Sequence, residues 1–130
     1  MNAPPALALA LSLVFVACAV DSPPPAVVEA PPVATDPVIA GLQAQPLVST
    51  RHGACRMECR HIDVAEVRHV LATGAIDPER TRHDGACPSY AIEGTTPDGV
   101  HARVVLAGCV DETRVVTVID LDTDHPCSCE

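Results

Sequence analysis

Apolar residues change their spacing three times along the chain. From Ala6 to Val20 they run almost unbroken, interrupted only by Ser12. From Ala19 to Val48 seven prolines break up every period of 3.6 or 2, so no element there is expected to bury a face. From Thr50 the spacing becomes helical. Thr50 can cap a helix that points Ala54 and Met57 inward and ends near Arg60. Asp63-Val64-Ala65-Glu66 reads as a capping box, followed by Val67, Val70 and Leu71 at helical spacing and by Gly74 as a stop. Asp77 to Gly85 reads as a charged loop.

Beyond that loop the pattern turns strand-like and rich in β-branched residues. Tyr90–Glu93 leads to a Pro97-Asp98-Gly99 turn and then to Val100–Ala107; a second turn at Asp111-Glu112-Thr113 leads to Arg114–Leu121. The predicted domain, residues 49–130, is α+β: two short N-terminal helices packed on a three-stranded antiparallel β-meander.

Composition weakens that core. The 130 residues include one Phe, one Tyr and no Trp. A domain of about 80 residues with so few large side chains calls for staples, and seven cysteines can supply them. A first hairpin centred on Asp98 pairs residues whose numbers sum to 196. That rule sets Cys87 opposite Cys109, within bridging distance. Cys55 and Cys59, four apart, share one helix face. Each would reach one of Cys127 and Cys129, with the pairing left open. The rival is a zinc site built from Cys55, Cys59, Cys127 and Cys129 with His125 nearby. The spacing is not that of a zinc ribbon, and no metal or other cofactor is expected.

Charge excludes a further class. All eight basic residues are Arg, against 17 acids, for a net charge of −9. A nucleic-acid partner would need a basic face, so none is expected.

The N-terminus reads as a targeting segment. A run of fifteen residues, fourteen of them apolar, is too short to span a bilayer as a helix but suits the core of a secretory signal. The run ends in Phe15-Val16-Ala17-Cys18, which resembles a bacterial lipoprotein processing site. That resemblance implies a signal peptide over residues 1–17 and lipidation of Cys18, and the proline-broken stretch that completes residues 18–48 reads as a disordered tether. The resemblance also implies a bacterial cell-envelope location, on the outer membrane or the periplasmic face, held to the membrane through the lipid. An ordinary cleaved signal and an uncleaved anchor are the alternatives. Removing Cys18 leaves six cysteines, an even number, as a disulfide framework requires.

The stretch His52-Gly-Ala-Cys-Arg56-Met57-Glu58-Cys-Arg60-His-Ile62, with the capping box and Val67, Val70, Leu71 and Gly74, resembles a small bacterial family, domain of unknown function 4258. The resemblance covers about Arg51 to Leu121. It implies a fold like that of the RelE and BrnT ribonuclease toxins and no settled activity.

Candidate chemistry is sparse. His52, Arg56 and Arg60 recur at four-residue spacing and form one polar stripe on the first helix. Such a stripe could hold a phosphate or stabilise a transition-state anion. Alternatively it pairs with Glu58, Glu66 or the acidic tail and orients the helix, and this structural role is the one expected. Asp120, Asp122 and Asp124 lack the glycine and distal Glu of a calcium loop. No phosphate loop, Gly-x-Ser-x-Gly or His-Glu-x-x-His is present. Two functions follow: an envelope lipoprotein displaying a non-enzymatic module for a protein partner, or an exported nuclease-like enzyme of toxin fold using His52, Arg56 and Arg60.

Overall fold

The computed structural model describes residues 36–130, together with 2–3, 5 and 12–14. Most of the apolar run, Cys18 and the tether up to residue 35 lie outside the described residues. Among the described residues no helix is long and apolar enough to cross a membrane.

Eight elements follow one another: helix α1 (Pro37–Ala44), strand β1 (Leu47–Ser49), helices α2 (Arg51–Arg60) and α3 (Val64–Thr73), and strands β2 (Ala75–Arg82), β3 (Ser89–Thr95), β4 (His101–Gly108) and β5 (Thr113–Asp120). They form a mixed five-stranded sheet in the order β1-β5-β4-β3-β2, with the β1–β5 pair parallel and the rest antiparallel. The expected two helices on a three-stranded meander are therefore corrected to three helices on five strands. The meander is the centre of the sheet, and the structure adds an edge strand on either side of it.

Each missing element has a physical reason for looking like loop. α1 lies in the Pro-rich stretch read as tether, so regular structure is already present upstream of Ser49. Asp36 caps it by accepting from the Val38 N–H at 2.8 Å, and Pro37 sits in the first turn, where no amide donor is needed. Only Ile39 and Leu42 are buried, too short a stripe to read as a period. β1 is three residues long and has a partner only in β5, more than sixty positions away. β2 carries Asp, Pro, Glu and Arg because it is an edge, where a missing amide and exposed charges are tolerated.

The core lies between the sheet and the helices, all of which cover one face. α3 buries Val67, Val70 and Leu71 against β3 and β4; the strands answer with Ile92, Ala102, Val104, Leu106, Val115 and Val118. Leu106 pairs with Val115 while Val105 pairs with Thr117, so Val116 is an extra residue. This bulge lets both Val115 and Val118 point inward. In the β3–β4 hairpin the partners sum to 196 along the whole ladder, from Ser89 with Ala107 to Thr95 with His101. Gly99 adopts a φ of 92° in its turn, a region where a side chain would be strained.

Candidate functional site: helix α2 and the C-terminal tail

The residues singled out for chemistry gather around α2. Thr50 caps the helix by accepting from the Gly53 N–H at 2.9 Å and donates its own hydroxyl to the Val115 carbonyl at 3.1 Å. The backbone N–H of Thr50 reaches the same carbonyl at 3.1 Å. Gly53 and Met57 form the buried face; Ala54, expected to point inward, is exposed. A Cβ at Gly53 would lie 2.1 Å from the Val115 oxygen, so only glycine lets the helix approach the strand this closely. The helix ends at His61 in a left-handed conformation, φ 54°, before Ile62 turns into the core. The next helix opens with Asp63 and Glu66 in a reciprocal capping box.

The His52, Arg56 and Arg60 stripe does not converge. His52 is exposed, and its Nε2 accepts from Arg56 Nε at 3.3 Å. Arg60 turns away and donates to the carbonyl of Val118. Burial, and then the neighbouring Arg56 charge, lower its pKa, while Asp124 and Asp120 pull it the other way. None of the three forms an ion pair with Glu58 or Glu66 among the described residues, since Glu66 is occupied in the capping box. Three guanidinium or imidazole groups converging on an anion would be an oxyanion site; one group tied to a strand edge is a fastening.

All six domain cysteines are bridged. Cys55 joins Cys129, Cys59 joins Cys127 and Cys87 joins Cys109, with Cα separations of 5.8, 5.9 and 4.6 Å. The tail therefore runs antiparallel to α2 and is held to it twice. The four sulfurs of the rival zinc site are all consumed in these bonds.

A further pair, missed in the sequence, holds the start of the tail. His125 Nε2 lies 2.9 Å from Asp120 Oδ2, and the other Asp120 oxygen accepts from the Asp122 and Thr123 N–H groups at 3.0 Å each. The hydrogen bond from His125 is the main cause of an Asp120 pKa below the usual carboxylate value. Arg60, Asp120, Asp122, Asp124 and His125 line a cleft of about 350 Å³. Asp120 serves the turn and Asp122 faces His101 at 3.9 Å. Among the described residues no group of three or more His, Cys, Asp or Glu is arranged to hold a metal. The signal for this pair was an acid and an imidazole five apart across a turn, a spacing no regular element favours.

A one-sided mixed sheet, its helices on a single face and its tail latched by disulfides, defines a small stapled α+β domain. The chain belongs to the family Domain of unknown function (DUF4258), which it matches over residues 49–120. The matched stretch contains Cys55, Cys59, Cys87 and Cys109 and stops before Cys127 and Cys129. No curated protein and no solved structure matches the chain.

Proposed function

We propose that this protein is an envelope lipoprotein that displays its disulfide-stapled domain as a protein-interaction module. The reading rests on one observation above the others: six cysteines bridged within the domain, with Cys18 left as the seventh, directly after an apolar run of signal length. Bridges of this kind form and persist in oxidising compartments outside the cytoplasm. Several acyl chains on Cys18 would anchor the protein far more firmly than one. The Pro-rich segment after it would let the domain stand away from the bilayer. The use of Arg60 on a backbone carbonyl and of Arg56 on His52 favours a module over an enzyme built on that stripe.

Fractionation of cells making the natural chain and Cys18→Ser tests the reading. The natural chain should partition with membranes, and the variant should become soluble or remain unprocessed. Unchanged partition together with unchanged gel mobility refutes the anchor. A phosphodiesterase assay on RNA and DNA provides the functional arm: hydrolysis by the natural chain that is lost in His52→Ala would replace the module with a nuclease.

A further inference from the structure

Among the described residues the helices cover only one face of the sheet, and one part of the other face is concave. Between Asp77 and Arg82 the β2–β3 register shifts, so Pro78, Glu79, Arg80 and Thr81 leave the ladder. The departure is pinned: the Thr81 hydroxyl donates to the Asp77 carbonyl at 2.8 Å and accepts from the Ala91 N–H at 3.4 Å. Beside it lies a cleft of about 310 Å³, lined by Ala91, Val105 and Ile119, by Arg80, Arg82 and Arg103, and by Glu79. Three of the eight arginines of an acidic chain thus line one cleft together with three aliphatic side chains.

Their availability differs. Arg103 donates through Nε and Nη2 to one Glu93 oxygen, at 2.7 and 2.5 Å, which fixes the guanidinium and leaves three of its five donors uncommitted to that carboxylate. Arg80 sits 3.3 Å from Asp77. Arg82 is exposed and forms no ion pair among the described residues. Asp77, Glu79 and Glu93 balance the three arginines, so the cleft is close to neutral as a whole. A singly charged ligand can engage the free donors of Arg82 and Arg103. A phosphate dianion or a nucleic-acid chain brings more negative charge against the same three carboxylates, and against a net charge of −9 beyond them, than a single carboxylate does. The volume is at the small end of ligand sites, matched to a group the size of one or two side chains.

We propose that this cleft binds a carboxylate carried on a short aliphatic body. The carboxylate takes the arginine donors, and the body covers Val105 and Ile119. The source is either a free short-chain acid or a glutamate flanked by aliphatic residues in a partner protein. The site is independent of the anchor, so the proposal and the lipoprotein reading stand or fall separately.

Amide shifts of the oxidised full chain, followed by NMR at neutral pH, test it with five probes: hexanoate, hexan-1-ol, hexyl phosphate, the capped tripeptide Val-Glu-Ile and a short oligoribonucleotide. Hexanoate should saturate with a Kd on the order of 1 mM and move the amides of Ala91, Arg103, Val105 and Ile119. Hexanol and hexyl phosphate should bind more weakly, and Arg82→Gln, an exposed position that leaves the fold intact, should weaken hexanoate about fivefold or more. Tighter binding of the tripeptide names a protein source, tighter binding of hexanoate names a free acid, and equal binding shows that the carboxylate alone is read. The proposal is overturned if neither carboxylate saturates by about 20 mM, if Arg82→Gln binds as well as the natural chain, if the shifts map elsewhere, or if an oligoribonucleotide binds this face more tightly.

Discussion

The Arg60 guanidinium donates to the main-chain carbonyl of Val118, 58 residues further along the chain, where β5 has run past its parallel neighbour β1. β1 pairs with β5 only as far as Val115. Beyond it, Thr50 takes the Val115 carbonyl and Arg60 takes that of Val118. Helix α2 thus completes the edge that a three-residue strand leaves open, which limits pairing with other chains.

Arg60→Ala should therefore cost about 1–2 kcal/mol, since it strips a half-buried carbonyl of its charged donor. Arg60→Lys should recover part of the loss, because an ammonium can still donate. Urea unfolding of the oxidised protein measures both, and an unchanged midpoint for the alanine variant would show that the contact carries no stability.

Glycine substitutions should have opposite signs in two helices. Gly53→Ala drives a Cβ to 2.1 Å from the Val115 oxygen and should cost about 2–3 kcal/mol despite the better helix propensity of alanine. Gly41→Ala in α1 meets nothing within 4 Å and should gain about 0.5–1 kcal/mol. Thermal melts of the two variants should move in opposite directions.

The two tail bridges should be coupled. While one remains, the other closes only a small ring through one helical turn and the Cys127-Ser128-Cys129 tripeptide, and its removal should cost about 2 kcal/mol. Removing both reopens a loop of some seventy residues, as the separations of 74 and 68 show. The quadruple serine variant should then lose clearly more than the sum of the two paired variants. Strict additivity in denaturant unfolding would contradict this reading.

Acid sensitivity should centre on Asp120. Its pKa is lowered in the folded state, chiefly by the His125 hydrogen bond. The stabilisation is therefore present above the unfolded carboxylate value, near ~3.9, and is lost as pH falls through the folded value. His125→Ala should raise the Asp120 pKa, followed through its carboxyl carbon by NMR, and move acid unfolding to higher pH. An unmoved Asp120 titration would show that the turn amides alone hold its charge.

The sequence by itself determined what local chemistry can specify. The Thr50 cap, the Asp63–Glu66 capping box, the buried stripe of α3 and the alternation of β4 each depend on neighbours within a few positions. The β3–β4 register follows from a single turn, and from it the numbers that set Cys87 opposite Cys109. The matching family stretch, residues 49–120, lies over this same region.

Only the tertiary structure decided the edges and the latch. β1 and β2 are strands because a partner ladder takes up their backbone groups; Leu47–Ser49 and the charged run Ala75–Arg82 carry too little apolar alternation to declare themselves. α1 is tied down by the buried Thr113 hydroxyl, which donates to the Leu42 carbonyl at 2.9 Å from 71 positions away. Cys55 and Cys59 present the same helix face to both tail cysteines, so spacing leaves two pairings equivalent. The antiparallel run of the tail along α2 selects Cys55 with Cys129 and Cys59 with Cys127. Arg60 likewise reads as one member of a polar stripe until the strand edge it covers is in place. These contacts join groups far apart in the chain, and their geometry exists only once the layers have packed.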